Sequence, residues 1–273
     1  MQARRAFVEV PEGQIHYRYA GHPNGRLPLL MLHPGPASSK TVEPLLELLG
    51  ESYWVLAPDE LGMGDSSPPA IAAPDVGYFA ESTTRFMDAV GIQKANLWGS
   101  MTGANTAVEL ARCHPERVNK LYIETYMLFP PEVQQDLIAH HAPQVKVGLE
   151  GLHFNFLWHF ARDQSLFFPW FRREAKYARK AGLPRPVALH EKFMEMAKSA
   201  RTFHVALNAT LRYPAEQRLR EIDQPVIGPK TLAGIARNFT EKTINCGAPL
   251  LAEPQDVAAS AREIIRHLDA GGG

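Results

Sequence analysis

The segment that most constrains the fold is Gly99-Ser100-Met101-Thr102-Gly103, which has the G-x-S-x-G spacing of a nucleophile elbow but methionine at its centre. An elbow is a strained turn from a buried strand into a helix, and it lifts its central side chain into a pocket. Glycine is needed on either side because neighbouring backbone leaves no room for a Cβ. A thioether has no proton to lose and cannot attack a carbonyl carbon. The sequence therefore predicts the turn without its attacking atom.

Short apolar runs alternate with segments whose apolar residues have helical spacing. The predicted strands are Ala6–Val10, Ile15–Ala20, Leu29–Leu32, Tyr53–Ala57, Ala95–Trp98, Leu121–Ile123, Pro225–Ile227 and Lys242–Asn245. The predicted helices between and after them are Thr41–Leu49, Tyr78–Val90, Ala104–Cys113 and Val257–Leu268. This alternation predicts an α/β protein with a mostly parallel sheet and helices on both faces, and the first two strands form an antiparallel hairpin at its edge.

Residues 126–222 break the alternation, since they contain several helical stretches and no convincing strand. Aromatic residues crowd the segment from Phe154 to Phe171. We therefore expect a core formed by residues 1–125 and 223–273, with 126–222 inserted as a helical cap.

Composition and charge exclude several classes of function. Lysine plus arginine equals aspartate plus glutamate at 29 each, which gives no electrostatic case for nucleic acid or for an anionic membrane surface. No stretch approaches the ~20 apolar residues of a membrane helix. The two cysteines, Cys113 and Cys246, predict buried thiols in a reducing compartment. We expect a cytoplasmic protein, and the sequence leaves a homodimer open.

Three segments, in this order, carry a family resemblance. Residues 33–36, His-Pro-Gly-Pro, resemble the H-G-x-P loop after the third strand, and residues 58–66 resemble the D-x-x-G-x-G-x-S loop after the fourth. With the elbow at 99–103 the chain resembles the α/β-hydrolase superfamily. Its helical insertion is most similar to the capped branch of epoxide hydrolases, haloalkane dehalogenases and ring-cleavage hydrolases. The resemblance implies an α/β-hydrolase fold, with a twisted sheet, helices on both faces and an inserted cap.

The departures from the family bear on its Ser-His-Asp triad. The family's histidine follows the last strand, and the matching segment, residues 245–254, contains none. The family's acid follows the seventh strand, and residues 228–231, Gly-Pro-Lys-Thr, offer no carboxylate. With Met101 in the nucleophile position, all three members are absent from their expected places.

The resemblance implies an oxyanion hole formed by the N–H groups of Gly35 and Thr102. Such a hole stabilises an enolate or a carbonyl that gains charge, and that chemistry needs an acid or base rather than a nucleophile. The candidates are His153 and His159 in the aromatic segment, of which we expect only one to reach the cavity, and Glu124 at the end of the sixth strand. The alternatives are histidines satisfied in a core and a salt bridge from Glu124 to a cap arginine.

A hydrophobic or aromatic carbonyl compound is the expected ligand. The residues predicted to line its cavity are Pro36, Phe154, Trp158, Phe168 and Trp170, with packing inside the cap as the alternative. We expect neither a metal nor another cofactor. Three functions stay open: an enzyme without a triad that acts as a lyase, an isomerase or an atypical hydrolase; an inactive homologue that binds a small molecule or a protein; and a conventional esterase or C–C hydrolase with a relocated triad.

Overall fold

A sheet of eight strands runs through the part of the chain that the computed structural model describes, residues 1–180, 182–244 and 254–270. The strands are β1 (Arg4–Val10), β2 (Gly13–Ala20), β3 (Leu29–Leu32), β4 (Val55–Pro58), β5 (Ala95–Ser100), β6 (Val118–Thr125), β7 (Val226–Gly228) and β8 (Phe239–Glu241). Their order across the sheet is β1-β2-β4-β3-β5-β6-β7-β8. The β1–β2 and β2–β4 pairs are antiparallel and the rest are parallel.

Helices cover both faces of this sheet. They are α1 (Glu43–Leu49), α2 (Val76–Ala89), α3 (Thr102–Cys113), α4 (Pro131–His140), α5 (Leu152–Leu166), α6 (Pro186–Lys198), α7 (Phe203–Arg212), α8 (Ala215–Arg220) and α9 (Pro254–Asp269). Apolar residues of α2 and α3 pack on one face, and those of α1 and α9 pack on the other. The predicted class, a mostly parallel sheet between two layers of helices, is confirmed.

The burial of the central strands explains why the sequence pattern predicts them. All four residues of β3 and of β4 are buried, because helices lie above and below them, so these strands are short uninterrupted apolar runs. The hairpin of β1 and β2 lies at the sheet edge, and β1 alternates between exposed and half-buried residues.

The helices α4–α8 lie between β6 and β7, within residues 126–222. Much of this segment packs around an apolar cluster of its own, in which Phe160 is fully buried and Trp170 is 7% exposed. The two rings lie 4.7 Å apart between centroids. The aromatic residues therefore build the interior of the helical segment, which stands apart from the two clusters on the sheet.

Two sequence expectations are wrong. The last strand is Phe239–Glu241 and not Lys242–Asn245, because pairing with β7 places its register earlier; Asn245 lies outside the described residues. Cys113 is exposed rather than buried, because the apolar face of α3 is formed by residues such as Val108 and Ala111. Cys246 lies outside the described residues. Within the described ranges, no helix has the length and apolar character to cross a membrane.

Truncation of two phenylalanines on α5 should distinguish a side chain in the interior of the helical segment from one on its surface. Phe160→Ala should lower the free energy of unfolding by about 3–5 kcal/mol, because it leaves a cavity in a packed cluster. Phe154→Ala, at a side chain 51% exposed, should cost less than about 1 kcal/mol. Urea denaturation followed by circular dichroism measures both, and equal losses would contradict the assigned packing.

Candidate active site at the strand-to-helix turn

The turn between β5 and α3 has the backbone of an elbow. Met101 has φ 52° and ψ −114°, and it is the one non-glycine residue in the described chain with a positive φ. Such a conformation costs a side-chain-bearing residue about 1–3 kcal/mol, so the surrounding structure must impose it. The predicted strained turn with methionine at its apex is confirmed.

Close backbone contacts impose that conformation. A Cβ on Gly99 would lie 2.7 Å from the Cα of Ala104, and a Cβ on Gly103 would lie 2.1 Å from the carbonyl oxygen of Leu32. The Met101 N–H also donates to the carbonyl oxygen of Thr125 on β6, at 2.8 Å. The two glycines are therefore required by space, as predicted from their spacing.

The hydrogen bonds around Gly35 and Thr102 differ from those expected of an oxyanion hole. The Gly35 N–H donates to Thr102 Oγ1 at 2.7 Å, so this donor is already engaged. The sequence predicts Thr102 only as a backbone donor, and its motif does not reveal that the Thr102 hydroxyl accepts from the Gly35 N–H. The Thr102 N–H itself opens α3, where no intrahelical acceptor exists for it. Rotation of the Thr102 side chain would be needed to free the Gly35 N–H.

The loop after β3 is braced by His33. Its Nδ1 lies 3.0 Å from the carbonyl oxygen of Pro34, and its Nε2 accepts the N–H of Glu60 at 3.1 Å. Burial lowers the pKa of His33, which favours the neutral ring that this pair of hydrogen bonds requires. The residue therefore ties the loops after β3 and β4 together.

Asp59 also connects the loops after β3 and β4. Its carboxylate accepts the N–H groups of Ser39 at 2.7 Å and Asp65 at 3.0 Å, and it lies 2.8 Å from His16 Nδ1. Burial alone would raise its pKa, but the hydrogen bonds with His16 and Ser39 and the two nearby imidazoles, of His16 and His33, together outweigh this and hold the pKa well below its usual range. Ligand-type atoms of His16, Asp59 and Asp65 lie within 4.8 Å of one another, yet both Asp59 oxygens already have partners. We assign this cluster a structural role.

A small cavity beside α3 contains an acidic group that the sequence analysis did not select. Its volume is about 20 Å³, enough for one water molecule, and His33, Glu60, Ser82 and Thr106 contribute to its lining. Thr106 Oγ1 donates to Glu60 Oε2 at 3.2 Å. Burial raises the pKa of Glu60 to about 7. No periodicity or motif marks this residue, because its pKa depends on how α2 and α3 enclose the loop.

Glu124 forms an ion pair with a lysine and not with a cap arginine, the alternative given above. Its Oε2 lies 2.8 Å from Lys242 Nζ, and both side chains are buried. Lys242 Nζ also donates to the Glu124 carbonyl oxygen at 2.7 Å. The partner is thus a lysine just after β8 rather than a cap arginine. Because this buried cation engages the carboxylate, the geometry argues against Glu124 as the catalytic base.

The two candidate histidines lie on one unbroken helix, α5. His153 is buried, with its ring 4.1 Å from that of Phe154, and its Nδ1 lies 3.5 Å from the N–H of Gly148. His159 is half-buried, and its Nδ1 has no hydrogen-bond partner among the described residues. His159 is therefore the one of the pair with unused hydrogen-bonding capacity.

The residues predicted to line the cavity have different surroundings. Pro36 is buried in the loop after β3, and Trp158 is half-buried. Phe154 is 51% exposed and Phe168 is 39% exposed. Trp170 packs inside the helical segment, where its Nε1–H donates to a backbone carbonyl at 3.0 Å. For Trp170 the structure supports packing over cavity lining, because its position is fixed from within the cap.

Comparison with known proteins matches part of the chain to a family. Residues 28–137 match the family described as alpha/beta hydrolase fold. The 2-hydroxymuconate semialdehyde hydrolase of Pseudomonas sp. (strain CF600) is 35% identical over 99 residues, which are 35% of this chain and 35% of that protein. The chain has the α/β-hydrolase fold.

Other relatives cover similar or larger parts of the chain. The 2-hydroxy-6-oxononadienedioate/2-hydroxy-6-oxononatrienedioate hydrolase of Paraburkholderia xenovorans (strain LB400) is 33% identical over 128 residues, 43% of each protein. This α/β-hydrolase chain thus spans less than half the length of the curated relatives described here.

Solved structures extend the likeness of fold over nearly the whole chain. The enol-lactonase from Burkholderia xenovorans LB400 superposes with a TM-score of 0.71 at 18% identity, covering 96% of this chain and 99% of that one. A bacterial membrane phospholipase A gives 0.72 at 24% identity, covering 99% and 88%. At these identities the likeness is one of fold.

A polar contact that the sequence did not predict holds α6 over the loops that surround the elbow. Glu195 on α6 accepts a hydrogen bond from Ser38 Oγ, in the loop after β3. One turn later, Lys198 Nζ lies 3.0 Å from Asp65, in the loop after β4, and 3.3 Å from Glu195. Glu195 and Lys198 carry no motif, and only the packing of α6 brings them to the site.

Loss of one partner in the Glu124–Lys242 pair should be costly. Lys242→Met leaves a buried carboxylate without its cation and should lower the free energy of unfolding by about 3–5 kcal/mol. The double variant Glu124→Gln/Lys242→Met should recover part of that loss, because no unpaired charge remains. Lys198→Met, at a more exposed pair, should cost less than about 1 kcal/mol. Urea titrations measure all three, and a double variant less stable than the single one would contradict the assignment.

Stability should depend on pH through Glu60. Because its folded-state pKa lies near 7 and above the ordinary 4.5, the folded protein binds this proton more tightly than the unfolded chain. The Glu60 contribution is therefore present below pH 4.5 and is lost as the pH rises through 7.

Glu60→Gln should remove the Glu60 contribution to the pH dependence of the free energy of unfolding. The stability of the variant relative to the unmodified protein should therefore be higher at pH 8 than at pH 5. Glu132→Gln, at an exposed position on α4, is the matched control. Free energies of unfolding at the two pH values test this, and parallel pH profiles for Glu60→Gln and the unmodified protein would refute it.

Proposed function

We propose that this α/β-hydrolase-fold chain is an enzyme that acts on a small hydrophobic carbonyl compound by proton transfer, without an acyl-enzyme at the elbow. The observation that supports this is Met101 at the apex of the turn. The apex is where the fold presents its nucleophile, and a thioether supplies neither an alkoxide nor a thiolate. Isomerase or lyase chemistry needs only a polarised carbonyl and an acid or base.

The names of the relatives support a carbonyl substrate. One relative is named for a semialdehyde and another for two oxo-acids. An aldehyde or ketone carbonyl gains negative charge on oxygen when a proton leaves the neighbouring carbon. The Thr102 N–H at the N-terminus of α3 is suited to that charge, since a helix N-terminus carries partial positive charge.

A protein that only binds its ligand is the second candidate. The hydrogen bond from Gly35 N–H to Thr102 Oγ1 favours it, because the hydroxyl oxygen accepts from one of the two donors expected to bind a carbonyl oxygen. A conventional esterase with a relocated serine receives less support. Ser100 next to the apex is 3% exposed and lies within β5, paired in register with Thr125 on β6.

We further propose a cytoplasmic location and a small-molecule partner. Two cysteines in 273 residues are unlike the composition of a disulfide-stapled secreted domain. Equal numbers of basic and acidic residues support a small-molecule partner over nucleic acid.

Hydrogen–deuterium exchange at carbon tests the proposed chemistry without knowledge of the natural product. 3-Phenylpropanal and 2-oxo-4-phenylbutanoate are incubated with the protein in D₂O, and NMR follows loss of the C–H signal next to the carbonyl. The proposal predicts exchange faster than in buffer. Thr102→Ala should keep or increase that rate because it frees the Gly35 N–H, whereas Thr102→Val keeps a methyl against it and should slow exchange.

Two results would contradict the proposal. Saturable binding of either compound with no exchange in any variant would support the binding protein instead. Equal rates for Thr102→Ala and Thr102→Val would show that the two N–H groups do not contact the carbonyl oxygen.

A further inference from the structure

The charges of the chain are distributed unevenly, although their sum is zero. Residues 126–222 contain 14 lysine and arginine residues against nine aspartate and glutamate residues, so this helical segment carries a net charge of +5. The rest of the chain, with 15 basic residues against 20 acidic ones, carries −5. The neutral total gives no electrostatic case for an anionic membrane surface, but the charge of the helical segment does.

The helical segment also exposes apolar side chains. Eight of the twelve large apolar side chains that are exposed among the described residues belong to it, and such enrichment is typical of surfaces that contact a protein or a membrane. Four of the eight lie within eight consecutive residues at the start of α5, and we call them the apolar tip: Val147, Leu149, Leu152 and Phe154. Leu149 is fully exposed and Leu152 is 72% exposed. The Gly151 N–H donates to the Gly148 carbonyl oxygen at 3.2 Å, and this turn keeps the backbone of the tip compact.

Helix α6 continues the exposed apolar surface. The ring of Phe154 lies 6.4 Å from that of Phe193, measured between centroids, so the apolar tip adjoins the second half of α6. Met194 follows Phe193 and is exposed, and Val187, seven residues earlier, is 71% exposed. Residues seven apart lie on the same side of a helix. The apolar surface therefore extends from the tip along one side of α6.

The opposite side of α6 is buried. Leu189 and Met196, each two residues after one of these exposed side chains, belong to the apolar cluster inside the helical segment. Residues two apart lie on nearly opposite sides of a helix, because each residue turns the chain by about 100°. Val187 and Met194 are therefore directed away from this cluster and toward the outside of the molecule.

A basic stretch, residues 172–185, leads directly into α6. It contains six basic residues against a single acidic one. Two of the six pair with aspartates on α4 and α5. Lys176, Lys180 and Arg185 are exposed, and none of them forms an ion pair with a described residue. Leu183, in the same stretch, is exposed as well. Uncompensated positive charge thus lies beside the apolar surface of α6.

Exposed apolar side chains next to unpaired basic ones suit an anionic lipid bilayer. The apolar side chains enter the boundary between headgroups and acyl chains, and lysine and arginine are attracted to the negative headgroups. A second copy of the chain suits this face less well, because a two-fold interface would place the same surface of both copies together. The two basic stretches would then face each other and repel.

We propose that the apolar tip, the exposed side of α6 and the basic stretch form a docking surface for a bilayer that contains anionic phospholipid. The contact is peripheral, with α5 and α6 lying against the headgroups. The cytoplasmic leaflet of a cell membrane carries anionic lipids of this kind, so the proposed location of the protein gives access to such a surface.

Co-sedimentation with lipid vesicles tests the docking surface. The full chain is mixed with vesicles of phosphatidylcholine alone, or of phosphatidylcholine with about one quarter phosphatidylglycerol, and bound protein is measured over a range of lipid concentrations. Binding to the phosphatidylglycerol vesicles should be about tenfold or more tighter than binding to phosphatidylcholine alone. Raising NaCl from about 50 mM to about 500 mM should weaken it, because salt screens the attraction between the headgroups and the basic residues.

Two double variants test the two parts of the surface separately. Leu149→Ser/Leu152→Ser removes apolar side chains of the tip, and Lys176→Gln/Lys180→Gln removes two unpaired charges. Each should weaken binding to the phosphatidylglycerol vesicles by about tenfold or more. All four residues are exposed, so circular dichroism spectra of the variants should match that of the unmodified protein.

Matched controls change exposed residues of the same kinds outside the helical segment. Leu27→Ser/Ile71→Ser and Lys94→Gln/Lys230→Gln should bind the phosphatidylglycerol vesicles as the unmodified protein does. Equal losses in the test and control variants would show that binding is not confined to this face, and they would overturn the proposal.

Three further results would overturn it. The first is no sedimentation with the phosphatidylglycerol vesicles, and the second is equal binding to the two kinds of vesicle. The third is a dimer in buffer that Leu149→Ser/Leu152→Ser dissociates, as measured by sedimentation velocity. That result would assign this face to a second copy of the chain.

Discussion

The backbone of Met101 is the constraint on which the site depends. Its positive φ is maintained because β5 and α3 approach each other at Gly99 and Gly103 too closely for a Cβ, and because its N–H is held by Thr125 on β6. The parallel sheet thereby directs one side chain out of its carboxyl edge, where ligands bind in open α/β sheets. The chain retains this strained turn although its side chain has no nucleophilic atom.

The surroundings of the turn form a connected polar junction. His33 and Asp59 join the loops after β3 and β4, and Glu195 connects α6 to the first of these loops. Buried polar groups of this kind are stable only when their hydrogen bonds are satisfied, so the loops and the covering helix hold each other in place. The same junction positions Gly35 against Thr102.

Most of the fold could be predicted from the sequence, but the polar groups that determine the chemistry of the site could not. Fully buried strands such as Leu29–Leu32 and the glycines at 99 and 103 reflect local steric rules, which a sequence shows directly. Glu60 and the Thr102 hydroxyl depend on which groups meet in space, and no motif marks them. The cap aromatics were ambiguous for the same reason, since a sequence pattern does not distinguish an interior ring from one that lines a cavity.

The most direct test of the account is intact-protein mass spectrometry after treatment with a fluorophosphonate, which attaches covalently to an activated serine. The account predicts no adduct on the unmodified protein. It predicts none on Met101→Ser either, because the segment after the last strand contains no histidine to serve as base. A stoichiometric adduct on the unmodified protein would show an activated serine elsewhere and contradict the central claim.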